Sequence, residues 1–220
     1  MTRTRGRPPK TFEETEVIRS QIKNATAIVF GAHGYHGLSV EHILTQCGLS
    51  RPTFYRHFSN TDEVLNLVLQ EVNDKLINDI TLAVMSVDDP TRKVDAGLLA
   101  WRAWGESISP MLSAIFAGIH DPTSPVAKHR QRTVAVLIME LNKMAMALGK
   151  PPFKTIQVET FLIGVEHLGY SFHLGPDGPT EAAWQLTRQT MMRLALGLLG
   201  GSVEWAIAPQ LTMAMGLNLD

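Results

Sequence analysis

Cysteine is all but missing from this chain, since Cys47 stands alone among 220 residues. That excludes an intrachain disulfide and any multi-cysteine zinc or iron–sulfur framework. Aromatics supply only 7% of the residues and charged side chains 19%. Long apolar runs are lacking too. The most apolar stretch, Leu194 to Val203, is bounded by Arg193 and Glu204 and is too short to span a bilayer. The basic N-terminus runs into Pro8, Pro9 and Glu13 with no apolar segment behind it, so no secretory signal is expected. Nowhere do four or more residues alternate cleanly between apolar and polar, and no Asn-Gly or Asp-Gly turn joins two β-branched runs. The signatures of catalysis are equally scarce. There is no Gly-x-Ser-x-Gly elbow or phosphate loop, and the Gly31, Gly34, Gly37 series lacks the preceding strand that a dinucleotide fingerprint needs. His33 and His36 stand three apart, as metal ligands do, but no carboxylate is placed beside them. No enzyme activity, metal, cofactor or membrane partner is expected. A soluble, reducing, cytoplasmic setting is.

What is present is a large apolar fraction, 45%, enough to build a real core. The net charge is only −1, but it is unevenly spread. Residues 1–60 carry eight Lys and Arg against four acids, while the remaining 160 residues carry 12 against 17. A basic head on an acidic body predicts a polyanion partner for the head alone.

The chain reads as helix after helix, about nine in all, which makes the fold class all-α. A first helix is predicted from about Thr11 to Ala32, with Val17, Ile18, Ile22, Ala25, Ile28 and Val29 on its buried side. Ser39 caps a short second helix that stops near Gln46, and Ser50 caps a third with Pro52 in its first turn. Asn60 and Glu63 start a long helix to about Met85, along which Val64, Val68, Val72, Leu76 and Ile80 recur every fourth residue. Prolines then divide the remainder into helices near 91–106, 109–120, 124–148 and 154–173, with another from Thr180 to Leu199 and a tail at 202–216.

The informative segment is residues 31–58, GAHGYHGLSVEHILTQCGLSRPTFYRHF. Two short helices joined by a turn at Gly48 are what a helix-turn-helix requires, because glycine permits the tight turn between steeply crossing helices. Leu38, Ile43, Leu49, Phe54 and Phe58 are expected to pack inward, with Cys47 a core thiol before the turn. Arg51, Thr53, Tyr55, Arg56 and His57 then supply donors on a helix short enough to enter a major groove.

These residues resemble the TetR family of one-component transcriptional repressors. The resemblance runs from about Val17 to Leu69 and rests on Phe30, Gly34-Tyr35, Gly37-Leu38-Ser39-Val40, Ile43, Gly48-Leu49-Ser50, Thr53-Phe54-Tyr55 and His57-Phe58. It implies that Ser39 bonds a phosphate at the start of the second helix. Arg51, Pro52 and Thr53 would face base edges, Arg51 bidentate to guanine and the other two against thymine methyls. Tyr55 and His57 would touch backbone phosphates, and Arg56 either groove or backbone. Two departures stand out: Thr61 replaces the usual phosphate-binding lysine that opens the fourth helix, and Leu44 replaces a smaller alanine. The arm before the head carries Arg5-Gly6-Arg7-Pro8, which resembles the core of an AT-hook; the alternative is a nonspecific basic tail.

The resemblance further implies a homodimer on a palindromic double-stranded DNA operator and a small-molecule effector. The segment 154–173 is apolar on nearly all sides, so it is expected to be covered twice. Phe161 and Val165 from it, with Trp184, Met191, Leu194 and Leu198 from 180–199, are the expected dimer contacts, and Gly164, Gly169 and Gly197 allow close approach. Trp101, Trp104, Phe116, His120, Phe161, Glu166, His167 and Tyr170 are the candidate effector contacts, with His167 the leading orienting group. The domain reading is an arm at 1–10, a DNA-binding head at 11–60 and an effector-binding, dimerising body at 61–220. The function expected is a repressor released from its operator by an apolar or amphipathic small molecule. Two other readings are a ligand-independent, architectural DNA binder and a small-molecule-binding helical enzyme.

Overall fold

The computed structural model describes residues 11–176 and 178–201, and the arm residues Arg5 and Arg7 and the tail at 202–216 lie outside them. Among the described residues the chain forms nine α-helices and no strand. They are α1 (Phe12–His33), α2 (Val40–Cys47), α3 (Arg51–His57), α4 (Thr61–Met85), α5 (Pro90–Ser107), α6 (Ser109–Ile119), α7 (Pro125–Ala147), α8 (Thr155–Leu174) and α9 (Glu181–Leu199). None is long and apolar enough to cross a membrane.

Local chemistry sets the helix boundaries. Thr11 and Glu14 form a reciprocal capping box at α1, each side chain accepting from the other's backbone N–H. The Ser39 hydroxyl accepts from the His42 N–H at 3.2 Å, and the Asn60 side chain accepts from Glu63 at 2.8 Å. Ser50 departs from its predicted role. It occupies the cap position of α3, but its hydroxyl pairs with the Thr53 hydroxyl at 2.9 Å and makes no bond to the helix backbone. Between α2 and α3, Gly48 takes a left-handed conformation at φ 66°, which closes the tight turn.

Two apolar cores result. Ile22, Ala25, Val29, Ile43, Phe54, Phe58 and Val64 pack the head, with Leu38, Leu44, Cys47 and Leu49 half-buried around them. Leu44 is thus absorbed at the edge of this core. Val17 and Ile28, expected on the buried side of α1, face outward instead (66% and 48% exposed), while Phe30 turns fully inward. The second core runs from Phe30 and Leu65 through Trp101, Trp104 and Phe161 to Trp184 and Met191. On α4 the neighbours Val64 and Leu65 serve different cores, so this helix is shared by both, as α1 is through Val29 and Phe30.

The two parts meet at close range. A Cβ placed on Gly31 of α1 would overlap the carbonyl oxygen of Pro110 at the start of α6, so only a bare backbone fits there. His36, in the turn after α1, pairs with Asp121 after α6 at 2.7 Å. Lys23 of α1 reaches Glu71 of α4 at 2.5 Å.

Candidate functional site

The first site is the exposed side of the head. Arg51, Pro52, Tyr55 and Arg56 are exposed on α3, whereas Ser39, Thr53 and His57 are half-buried. Tyr55 is half-exposed, with its ring edge-on to Phe54 at 5.4 Å, so it is not a core residue. The Arg51 guanidinium rests on Glu41 of α2 at 3.2 Å, a pair with both side chains exposed. The short α3 contains no acid. Thr53 keeps its hydroxyl occupied by Ser50, which leaves the methyl as its free contact group.

Residues of α1 that sequence reasoning passed over hold this surface in place. The Arg19 guanidinium donates to the His57 carbonyl at 2.9 Å and lies 4.5 Å from the centre of the Phe58 ring. Gln21 donates to the Cys47 carbonyl at 2.9 Å. Both groups satisfy carbonyls at the ends of the two short helices, where intrahelical donors run out. The signal available beforehand was their polar character on the α1 face that packs toward the turn.

The second site is a cavity of about 150 Å³ inside the body, walled by α4, α5, α6, α7 and α8. It touches α4 from Leu69 to Val84, a length of about 22 Å at the helical rise. The lining is mostly aliphatic, together with Trp101, Trp104, Phe161 and Tyr170. Its most polar feature is an ion pair. Arg130 of α7 donates from Nε to both carboxylate oxygens of Glu166 on α8, at 3.0 and 2.7 Å, and from Nη2 at 2.6 Å. That bonding raises the Arg130 pKa further, against the opposing effect of burial. Tyr170, one turn along from Glu166, is 3% exposed; burial and then the Glu166 charge push its phenol pKa upward, so it stays a donor. His129 also lines the cavity and bonds the Asn66 side chain of α4 at 2.9 Å, with its pKa lowered first by burial and then by Arg132 and Lys128. At the other end Lys93 donates to the carbonyls of Val84 (3.0 Å) and Val87 in the last turns of α4 and just after it.

Five of the expected effector contacts therefore line the cavity: Trp101, Trp104, Phe161, Glu166 and Tyr170. Three do not. His167 and His120 are exposed on the outside, and Phe116 sits behind Tyr170 with ring centroids 4.6 Å apart. Glu166 and His167 are successive residues on a helix, about 100° apart around its axis, so only one of them turns inward. Of the six expected dimer contacts, four are buried and two are half-buried. Phe161, Val165, Trp184 and Met191 are buried within a single protomer, Met191 completely. Leu194 lies half-buried against Gly164, where a Cβ would meet its side chain at 2.7 Å. Leu198 is likewise half-buried against the body core, and nothing lies within 4 Å of a Cβ built on Gly197. The outward stripe of α8 is instead Ile156, Thr160, Ile163, His167, Ser171 and Leu174. Among the described residues no cluster of potential metal ligands occurs.

The architecture matches known proteins. Residues 22–68 match the family described as bacterial regulatory proteins, tetR family. The HTH-type transcriptional activator FasR of Mycolicibacterium smegmatis is 31% identical over 83 residues, a stretch covering 38% of each chain. FadR of Bacillus halodurans, a fatty acid degradation regulator, superposes with a TM-score of 0.67 at 15% identity over 84% of this chain and 96% of that one. FadR of Bacillus subtilis, solved in complex with stearoyl-CoA, superposes with a TM-score of 0.67 at 12% identity over 83% and 98%. Residues 22–68 thus carry the sequence pattern of the tetR family of bacterial regulators, and the chain as a whole shares the all-helical fold of the two FadR structures.

Proposed function

We propose that the protein is a transcriptional regulator that binds a palindromic operator as a homodimer and is released from it by an apolar or amphipathic small molecule. The observation that carries this reading is the joining of a helix-turn-helix head, through α4 and with α1 packed on α6 beside it, to an apolar cavity in the body. The ligand-independent reading leaves the cavity idle, and among the described residues no cluster of potential metal ligands supports the enzymatic one. The boundary near residue 60 is retained as a functional division, head before and body after, although Val64 packs with the head. DNA contacts are assigned to Arg51, Pro52, Thr53, Tyr55 and Arg56, with Ser39 and His57 at the phosphate margin. The basic arm adds counterion release or minor-groove contact. The subunit contact is assigned to the outward faces of α8 and α9, where Ile156, Ile163 and Leu186 are 66%, 53% and 67% exposed.

FadR of Bacillus subtilis is solved with stearoyl-CoA, and an elongated, largely aliphatic cavity suits an acyl chain here too. Gel-shift assays of the full chain on DNA from its own upstream region, with and without palmitoyl-CoA, test the reading. Specific retardation relieved by the thioester is expected. Binding no tighter than to random DNA of the same length overturns the assignment as a regulator.

A further inference from the structure

The cavity contains hydrogen-bond donors that the protein itself leaves unused. Tyr170 is 97% buried, lines the cavity, and its hydroxyl has no hydrogen-bond partner among the described residues. Its ring is held by Phe116 at 4.6 Å and by Trp101, edge-on, at 6.4 Å, which fixes where the hydroxyl meets the cavity. Arg130 beside it commits Nε and Nη2 to Glu166, and Nη1 has no partner among the described residues. The Tyr170 hydroxyl opens onto the cavity, where a ligand that supplies an acceptor can take its hydrogen bond.

The charge balance narrows the acceptor. Arg130 and Glu166 cancel each other, so the donors sit in an apolar enclosure of no net charge. The other cation on the wall, Lys93, is turned to the carbonyls of Val84 and Val87, about 12 Å along α5 from Trp101, the residue that packs on Tyr170. A carboxylate placed against Tyr170 would be an extra buried anion beside the Glu166 carboxylate, without a counterion of its own. A carbonyl oxygen brings lone pairs and no charge.

We infer that the Tyr170 hydroxyl and the free edge of Arg130 form a seat for a neutral acyl carbonyl, so that the cavity selects esters and thioesters over free carboxylic acids of the same chain length. This rests on the proposed effector role of the cavity and specifies its ligand class. Glu166 is then the selective element, because it cancels the charge that would otherwise attract an acid.

The test uses methyl decanoate, decanoate and decane, titrated at pH 8 into the full chain and followed by the fluorescence of Trp101 and Trp104 in the cavity wall. Methyl decanoate is expected to bind at least about 10-fold more tightly than decanoate. Tyr170→Phe should weaken the ester about 3- to 10-fold, the loss of one hydrogen bond, and leave decane unchanged. Unchanged decane binding also shows that the variant is folded. Glu166→Gln should reverse the order and favour decanoate, because Arg130 becomes an uncancelled charge. Decanoate binding as well as the ester in the wild type, or ester binding unchanged by Tyr170→Phe, overturns the inference and leaves the effector cavity standing. Failure of all three probes to bind overturns both.

Discussion

Gly169 of α8 carries the indole of Trp101 directly on its backbone: a Cβ at this position would overlap the outer edge of the six-membered ring, 1.8 Å from its nearest carbon. The contact sets the width of the cavity, because Trp101 is one of its walls and its ring lies where any side chain on residue 169 would be. Glycine here serves close approach, the role foreseen for it, but between two helices of one protomer.

Gly169→Ala should therefore push Trp101 into the cavity. Overpacking of this kind costs about 1–3 kcal/mol. The expected outcome is a lower urea midpoint together with weakened binding of apolar ligands, and unchanged binding to operator DNA. Loss of DNA binding in a folded variant would show that Trp101 acts on the head as well.

Gly31→Ala addresses the junction. The obstacle there is the Pro110 carbonyl, part of a backbone that cannot rotate away as a side chain can. Head and body must separate locally, at a cost of about 1–3 kcal/mol, with Tm falling by roughly 2–4 °C for each kcal/mol in a chain of this size. Calorimetry gives the stability, and a gel shift tells whether operator affinity follows it. An alanine variant with wild-type Tm would show that α6 moves aside freely.

Arg51→Ala should remove discrimination at one or two base pairs, worth about 1–3 kcal/mol, with circular dichroism unchanged. Its partner offers the converse experiment. Glu41→Gln releases the guanidinium from an exposed pair worth no more than about 1 kcal/mol, so operator affinity should rise a few-fold. Binding to a panel of operator variants checks both. Uniform weakening by Arg51→Ala across the panel would make this side chain a phosphate contact.

Acid should destabilise the protein through two histidines. His129 and His173 both have pKa values below the ordinary 6.5, in each case mainly because burial disfavours the charged ring. Nearby Arg132 and Lys128 add to this at His129 and Arg102 at His173, while Asp74 and Glu106 oppose it. The unfolded chain takes up protons first as pH falls below about 6.5, so stability is full above that value and declines beneath it, down to the folded-state values. Urea midpoints measured from pH 8 to pH 5.5 should fall across this window. His129→Gln, which keeps a donor for Asn66, should flatten the slope by less than one proton. An equal slope in the variant would assign the effect elsewhere.

Much of this architecture is legible in the sequence because caps and prolines are local signals. The Asn60–Glu63 pair predicts a helix ending near Met85, and α4 runs from Thr61 to Met85. Ser50 illustrates the limit of such signals, since a hydroxyl that matches the cap pattern found a neighbouring hydroxyl instead. The head is readable for the same reason as α4, because its short helices, turn glycine and exposed donors lie within 28 consecutive residues. The body is not. Segment 154–173 is apolar on nearly every side, so periodicity cannot say which residues meet the cavity and which face another subunit. Phe161 and Val165 went inward and Ile156 and Ile163 outward. The Arg130–Glu166 pair joins residues 36 apart on two helices, and no spacing rule reveals it. The available hint was a single arginine within the stripe Val126, Arg130, Thr133, Leu137, Leu141 of α7.

The shared helix α4 also has a mechanical meaning. It is a stiff rod of 25 residues, about 37 Å from end to end. Its far end is gripped by Lys93 and its near end opens the head core at Val64. A rotation of about 5° about the gripped end moves the near end by roughly 3 Å, an amplification set by the length of the rod. In a dimer two such rods swing symmetrically, and the separation of the reading helices changes by up to about twice that amount, against a half-site spacing of about 34 Å. A ligand that shifts the cavity wall by a fraction of an ångström near the pivot is therefore geared up at the heads, with no deformation required within either one.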